Sequence, residues 1–522
     1  MTPPEREALV RAAIDTQSWD EVVAIIETHW ADLTQWNRPA LIDAVNALPP
    51  SVLLENPRLS AARTYVNYLP ANGTVRPVRY RYEPAAPRQS LLDTLADLTS
   101  RSVSARFEGA LPESVALVQE ALARLGEVPE SEIAAVRPVL PDIRVQWAIT
   151  LELSGELVAA NRMYEQTFDE ALAVENERIA TKSAGSIALN YALAGALSTA
   201  EQWLLREPQP ASEDGGLHEE LDTVRTTGGL ARALLAANDL RFEDAAAALD
   251  KAPSGDVDRE TWALRLYVES VLARSLGQSR QQLMKVSTTL GSQPELHRTT
   301  GLNGWLSATV IAELQLALGD VAAAHETTAQ LKAYGPLTEV DPARVLRSWI
   351  ALRRGDPRKA LVIAAPGLSQ PLTSPRVQAE LLVVLAAASL AVDQLDNAIV
   401  HFDAAVEILV SEKLPIVLLR LTAEERAVLL QGHSAAFDER VMTELSGRET
   451  VTTAPHTVSL TKREKVVLGH IVQGLGPTDI AAIEHLSRNT VKGQVRTLYR
   501  KLGVSDREGA LRAAIAAPHL WR

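Results

Sequence analysis

Six side chains near the end of the chain are of the kinds that bind nucleic acid. Lysine and arginine neutralise phosphate groups, and asparagine, threonine and arginine can hydrogen-bond to phosphates or to base edges. They lie in the segment SRNTVKGQVRTLYRKLG, residues 487–503, and are Asn489, Thr490, Lys492, Arg496, Arg500 and Lys501. The segment therefore predicts a surface for a polyanion if its backbone brings these side chains together.

Helical spacing brings most of them to one face. Four apolar residues recur between Val491 and Leu502, and at about 100° per residue they form one narrow stripe that must face a core. The opposite side then carries Asn489, Gly493, Arg496 and Arg500. Lys492 flanks that side, and Thr490 and Lys501 lie nearer the core-facing border. Such a helix suits the major groove of DNA; a solvated basic helix is the alternative that the spacing leaves open.

A glycine interrupts this predicted helix. Glycine costs roughly 1 kcal/mol relative to alanine in a helix interior, and Gly493 lies at the centre of the face that carries the cations. The absence of a side chain could let the backbone approach base edges, which Lys492 and Arg496 would then read. We therefore expect Gly493 to belong to the binding surface.

Capping and stop signals divide residues 458–522 into four short helices. Ser and Thr are favoured before a helix, Pro at its first position, and Gly after its end. In chain order the signals are Thr461 with Glu464, Gly474 and Gly476, Pro477, Ser487, Gly503, and Ser505 with Glu508. The tight connection of the second helix to the third is typical of a helix-turn-helix.

Charge is divided unevenly along the chain. Residues 456–522 hold 11 Lys or Arg and 5 Asp or Glu, a net charge of +6, whereas the whole chain carries −13. Residues 1–455 therefore carry −19. A small basic segment behind a large acidic body predicts that the segment meets a polyanion and the body does not. Ordinary charge scatter is the alternative.

The body ahead of this segment shows a loose helical repeat. In residues 146–168, a helix ends at Gly155, and a second helix follows with Ala160 and then Tyr164. Turns about 36 to 44 residues apart indicate a helix-turn-helix solenoid. They are Ser154–Gly155, Ala194–Gly195, Asn238–Asp239, Leu276–Gly277, Gly319–Asp320, Gly355–Asp356 and Asp393–Gln394. The pattern resembles degenerate tetratricopeptide repeats, with a non-repeating helical bundle as the alternative.

These signals predict an all-α protein, in which a tetratricopeptide-like solenoid precedes a four-helix domain. Proline-rich residues 77–90 predict a loop between two helical parts, and polar, threonine-rich residues before the basic segment predict a linker. The expected divisions are an N-terminal helical segment at 1–85, a repeat or sensor domain at 86–445, a linker at 446–457 and the four-helix domain at 458–522.

Composition argues against several function classes. The chain has no cysteine, which excludes disulfides, thiolate metal sites and a catalytic thiol and fits a reducing compartment. The ten histidines form no H-x-x-x-H or H-E-x-x-H group, and neither G-x-S-x-G nor G-x-x-x-x-G-K-[ST] occurs. The longest apolar run, residues 381–392, is too short to span a bilayer. We therefore expect a cytoplasmic protein that is not an enzyme and has no cofactor, metal ion or membrane partner.

Residues 460–511 resemble the C-terminal DNA-binding domain of LuxR-type transcription regulators. The matching residues are the LTKRE of 460–464, Val467–Leu468, Ile471, Gly474, Ile480–Ala481, Ser487, the NTVK of 489–492, the KLGV of 501–504, and Arg507. This resemblance implies that the helix carrying TVK is the recognition helix, with Lys492, Gly493 and Arg496 facing bases. It also implies backbone contacts from Thr490, Arg500 and Lys501.

The resemblance also implies how two domains pair, and the sequence departs from the family pattern at several positions. The last helix, residues 506–517, would join two domains into a homodimer on DNA through Ala510, Ala513 and Ala514. The family usually has an acidic residue where Val466 stands, Ser-Asn where Gly476–Pro477 stand, and often histidine at Gln494. It has a leucine where Glu484 stands, which bears on the packing of the turn.

The body resembles the sensory part of large regulators related to the maltose-regulon activator, without their ATPase module. The resemblance implies a transcription regulator that binds double-stranded promoter DNA. A small-molecule, peptide or protein effector would act at the helical repeats. The alternative is a helical-repeat protein-interaction scaffold with a degenerate DNA-binding tail that binds without sequence preference.

Overall fold

A computed structural model gives the fold. It describes residues 3–29, 33, 37–56, 59, 63, 90–208, 225–252, 260–331, 342–368, 374–448, 462–501 and 506–516. The predicted loop at 77–90 lies outside the described residues except for Ser90, as does most of the predicted linker and the residues Thr461, Leu502, Gly503 and Ser505. Every regular element of the described residues is helical, so the all-α prediction is confirmed.

The chain divides into two compact units. One consists of Met1–Leu352 and Asp356–Thr452, and the other of Thr453–Arg522 with Arg353–Gly355. We call them the repeat unit and the C-terminal unit. Within the described residues, no helix is both long and apolar enough to cross a membrane.

Among the described residues, four helices begin the repeat unit and share a core of their own. It includes the fully buried Leu41, Ala44 and Val45. The helices are α1 (Pro3–Asp15), α2 (Trp19–Thr28), α3 (Arg38–Ala47) and α4 (Pro50–Glu55).

A longer series of helices, packed mostly against their neighbours in sequence, makes up the rest of this unit. The first ten are α5 (Leu91–Phe107), α6 (Leu111–Glu127), α7 (Glu130–Val136), α8 (Leu140–Ser154), α9 (Leu157–Ala173), α10 (Glu177–Ala194), α11 (Leu197–Arg206), α12 (Thr226–Asn238), α13 (Phe242–Lys251) and α14 (Trp262–Ser275). The next ten are α15 (Ser279–Ser292), α16 (Glu295–Thr299), α17 (Gly301–Ala317), α18 (Val321–Gln330), α19 (Pro342–Arg353), α20 (Pro357–Leu368), α21 (Pro375–Leu390), α22 (Leu395–Ser411), α23 (Ala423–Leu429) and α24 (Glu439–Ser446). A 3-10 helix, Pro415–Arg420, lies between α22 and α23.

Each of the seven expected turns joins two consecutive helices. Five use a glycine with positive φ, a conformation that has little steric cost only for glycine; these are Gly155, Gly195, Gly277, Gly319 and Gly355. At the other two turns, Leu240 and Asp393 adopt positive φ instead. The second helix of the first pair buries Ala160 and Tyr164 completely, as its small-then-aromatic pattern predicts.

The series of helices is wound so that members far apart in sequence meet. The Ser374 hydroxyl donates to Ala194 O at 2.8 Å, and Arg376 Nε donates to Leu193 O at 3.0 Å. A side chain at Gly195 would lie within 2.8 Å of the Arg376 backbone, so this glycine permits the close approach. These bonds join the end of α10 to the start of α21.

A largely buried ion-pair network ties four helical segments together. Glu313 of α17 pairs with both Arg274 of α14 and Arg420 of the 3-10 helix, and Arg420 also pairs with Glu380 of α21 at 3.1 Å. Burial alone would raise the pKa of the Glu313 carboxyl, but the two guanidinium groups outweigh it and hold that pKa below its ordinary value. The network therefore keeps Glu313 ionised.

Candidate nucleic-acid interface

Four helices build the C-terminal unit around a small apolar core. They are α25 (Lys462–Val472), α26 (Pro477–Ile483), α27 (Arg488–Lys501) and α28 (Arg507–Ala516). The core residues are Val467, Leu468, Ile471, Ile480, Ala481, Val491, Leu498 and Ala514. Helix α27 contributes Val491 and Leu498 of the stripe that its periodicity predicts, and α28 contributes Ala514.

The start of α27 is fixed by its cap. The Thr490 backbone N–H donates to Ser487 Oγ at 3.1 Å, and the two hydroxyl oxygens are 2.7 Å apart. Ser487 is thus the N-cap that the sequence predicts. The Thr490 hydroxyl already has one partner, and its contact with DNA backbone stays a prediction.

Burial divides α27 into the two predicted faces. Val491 and Leu498 are fully buried and Val495 is half-buried, whereas Asn489, Lys492 and Arg496 are exposed. None of the carboxylates that the structure describes pairs with Lys492 or Arg496. The side chains of Arg500 and Lys501 lie outside the described residues, so their contacts stay predictions too. The structure thus places Asn489, Lys492 and Arg496 together on one exposed side.

Gly493 lies in open space on this exposed side. A Cβ built at Gly493 would meet no atom within 4 Å beyond its immediate helix backbone, and its φ is not positive. Neither packing within the unit nor backbone conformation therefore requires a glycine at this position.

The sequence analysis did not single out Arg488. It is exposed, begins α27 directly after the N-cap, and has no carboxylate partner among the described residues. Its side chain adds a cation near the end of the helix that enters the groove in helix-turn-helix complexes. Its position beside the Ser487 cap was the signal that could have identified it.

The departure at Glu484 is accommodated by a polar contact. Glu484 Oε1 lies 2.8 Å from His470 Nε2, so this carboxylate links the end of α26 to α25. The carboxylate of Asp479 accepts from the Gly476 N–H at 3.1 Å and caps the start of α26. Glu484 therefore occupies its site without being left unpartnered.

Outside the core, His485 has an uncommon backbone conformation, and Val466 and Gln494 are two of the departures from the family pattern. His485 follows Glu484 with φ of 53°, a left-handed conformation that is uncommon outside glycine. Val466 is exposed, whereas Gln494 is half-buried, and its Oε1 has no hydrogen-bond partner among the described residues. Neither Val466 nor Gln494 lies in the buried core of the unit.

Two of the three alanines expected at a dimer contact are buried in the structure of the single chain. Ala510 and Ala514 are buried within the C-terminal unit of a single chain. The side chain of Ala513 lies outside the described residues. Because the first two are already covered, pairing through α28 stays a prediction that needs other positions of that helix.

Comparison with known proteins agrees with this geometry. Residues 458–514 match the family of bacterial regulatory proteins, luxR family. Over 80 residues the chain is 38% identical to the HTH-type transcriptional regulator MalT of Cronobacter sakazakii. That alignment covers 15% of this chain and only 9% of the length of that regulator. Residues 458–514 thus form a LuxR-type helix-turn-helix domain, which contains the whole of α27.

Proposed function

We propose that the protein is a DNA-binding transcription regulator whose LuxR-type domain inserts α27 into the major groove of promoter DNA. The observation that carries this proposal is the division of α27 into a buried stripe and an exposed face. That face carries Lys492 and Arg496, for which the described residues supply no carboxylate partner. Cations without an internal partner at a recognition helix are the groups that phosphates and guanine edges bind.

The proposed roles follow from position on α27. Lys492, Gly493 and Arg496 face the bases, with Asn489 beside them on the exposed side. Thr490, Arg500 and Lys501 contact the DNA backbone. Two such domains bind a two-fold site as a homodimer, and phosphate neutralisation makes binding strongly salt-dependent.

The repeat unit is the proposed sensory part of the regulator. Its helices pack mostly against their neighbours in sequence, and helical solenoids of this kind bind peptides, proteins or small molecules. An effector bound there would change promoter binding by the C-terminal unit. The proposal assigns no catalytic step to either unit.

Selection of DNA fragments by the purified full chain, with and without cell extract, tests the proposal. A limited set of fragments should be enriched, and their binding should survive competition by unrelated DNA. The double variant Lys492→Ala/Arg496→Ala should lose this preference. Arg358→Ala, which removes an exposed cation from α20, should retain it.

The opposite result would favour the scaffold alternative. In that case moderate salt would abolish all binding, and no fragment would be preferred over another. The sequence reason for this alternative was Glu484, and its contact with His470 supports a turn that tolerates this carboxylate.

A further inference from the structure

The repeat unit contains a cavity of about 670 Å³. This volume lies within the range of roughly 300–1,000 Å³ that is typical of pockets for small organic ligands. Its walls come from α9, α10, α14, α17, α19, α21 and the 3-10 helix. An occupant would therefore contact helices separated by more than half of the chain.

Most of the cavity wall is apolar. Helix α17 contributes Leu302, Leu306 and Val310, each of which is at most 2% exposed. Three half-buried aromatic side chains also line it: Tyr191, Tyr267 and Trp305. Aromatic rings that are partly open to a pocket offer flat surfaces on which a planar ligand can stack.

One buried polar atom at the wall has no partner. Thr309 is 6% exposed and its Oγ1 has no hydrogen bond among the described residues, although Ser307 of the same helix bonds to the Asn303 carbonyl. The nearby amide of Asn190 is engaged, since its Nδ2 donates to Asn161 Oδ1 at 2.9 Å and its side chain also hydrogen-bonds Glu152. An unsatisfied buried polar group is costly, so Thr309 points to a ligand group that hydrogen-bonds.

The buried charges at the cavity are already engaged. Arg274 and Arg420 pair with Glu313, and Arg420 pairs with Glu380 as well. Arg376 donates to the carbonyls of α10. A ligand carboxylate or phosphate could reach these arginines only by breaking one of these contacts. The other two charged residues of the wall are nearer to solvent, since Arg162 is exposed and Glu165 is half-buried. The buried part of the wall therefore selects against ionic groups.

We propose that this cavity binds a neutral, largely apolar small molecule with a planar body and one hydroxyl or N–H group. The planar body stacks on the aromatic side chains, and the polar group bonds to Thr309 Oγ1. The identification of this cavity as the effector site rests on the proposed regulatory function, whereas the proposal that the cavity binds such a molecule does not. Because the ligand bridges distant helices, occupancy stabilises the wound form of the repeat unit.

A matched pair of fluorescent probes tests the chemical class. N-phenyl-1-naphthylamine is neutral, aromatic and carries one N–H, and 8-anilino-1-naphthalenesulfonate has the same skeleton with an added sulfonate. Titrated into the full chain, the neutral probe should bind saturably at one molecule per chain, at least tenfold more tightly than the sulfonate. Equal or tighter binding of the sulfonate would overturn the assignment.

Two variants test the location. Leu306→Trp fills the cavity and should weaken the neutral probe at least tenfold, whereas Val362→Trp, at a 73% exposed position of α20, should leave it unchanged. Thr309→Val keeps the side-chain shape and should weaken the probe severalfold, with a circular dichroism spectrum like that of the wild type. Unchanged binding by both cavity variants would place the probe elsewhere and refute the proposal.

The test separates this inference from the proposed function. If the protein selects specific DNA but the Leu306→Trp substitution does not weaken probe binding, the proposed regulatory function is supported and the cavity site is refuted. If the cavity variants weaken probe binding but the protein selects no specific DNA, the cavity site is supported and the proposed regulatory function is refuted. Leu306→Trp should also keep promoter binding while losing any response to cell extract, because the substitution lies in the repeat unit; a retained response would show that the effector acts elsewhere.

Discussion

Two groups of arginine and lysine side chains in this protein have opposite environments. In the repeat unit, Arg274 and Arg420 are largely buried, and each has a carboxylate partner. On α27, Lys492 and Arg496 are exposed and lack any carboxylate partner within the described residues. The same kinds of side chain thus have two different roles. A buried cation must be neutralised inside the fold, whereas an exposed cation can be neutralised by a bound ligand.

Removing a charge should have different consequences in the two groups. Removing the buried partner leaves uncompensated charge in the interior, so the effect falls on stability. Removing an exposed cation leaves the fold intact, so the effect falls on binding to a polyanion. Measuring stability and DNA affinity on the same variants therefore tests the contrast directly.

Glu313→Gln should have the largest effect. It keeps the side-chain shape but deprives both Arg274 and Arg420 of their shared carboxylate. Loss of one partner of a buried pair typically costs about 3–5 kcal/mol. Denaturant unfolding followed by circular dichroism would measure the loss for the repeat unit, and Arg496→Ala should leave the same transition unchanged.

The same carboxylate predicts a pH dependence. Because the folded pKa of Glu313 lies below its ordinary value, its contribution is present above that ordinary value and is lost as pH falls through the folded pKa. Lowering the pH from neutral to below about 4 should therefore destabilise the wild type more than Glu313→Gln. Parallel stability profiles for the two proteins would contradict the role given to this ion pair.

Substitution of the exposed cations should come next in size. Arg496→Ala or Lys492→Ala should each weaken specific DNA binding by about 1–3 kcal/mol. If the lost cation contacts phosphate, the slope of log affinity against log salt should also fall by about 1. Titrations at several salt concentrations measure both quantities. A loss of folding stability in either variant would show that the charge is structural after all.

The sequence predicted local features well because they depend on neighbouring residues. Turn glycines, the Ser487 cap and the stripe with Val491 and Leu498 all follow from rules that span one or two helical turns. Leu240 and Asp393 show the limit, since turn spacing located their turns but residue type did not reveal which residue takes positive φ.

Contacts that depend on how the helices wind were not predictable. Glu313 and Arg420 are 107 residues apart, and no spacing rule joins them. The contact between Glu484 and His470 likewise depends on how α25 packs against α26, so an apparent departure from a family pattern has a compensating partner. Ala514 was expected at a surface because small residues suit helix pairing, yet the same property suits a crowded core.

His485→Gly should have a smaller, stabilising effect. His485 holds a left-handed backbone between α26 and α27, which costs a residue with a Cβ about 1–2 kcal/mol. Glycine removes that cost but has greater freedom when unfolded, so the expected net gain is about 0.5–1 kcal/mol. Hydrogen exchange of amides in α25–α28 would measure it. His485→Ala keeps the Cβ and should give no such gain; an equal gain would attribute the effect to loss of the imidazole.

Gly493→Ala should have a similarly small effect on stability and the most informative effect on binding. A Cβ at Gly493 meets open space, so alanine should stabilise α27 by up to about 1 kcal/mol. Gly291 of α15 is a matched control, since a Cβ there also meets nothing, and Gly291→Ala should stabilise its helix without changing DNA selection. If the backbone at Gly493 approaches base edges, the added methyl group should change which DNA fragments are selected, even though the helix is more stable. If the selected fragments stay the same, the exposed face of α27 reads DNA through its cations alone, and the glycine is merely tolerated.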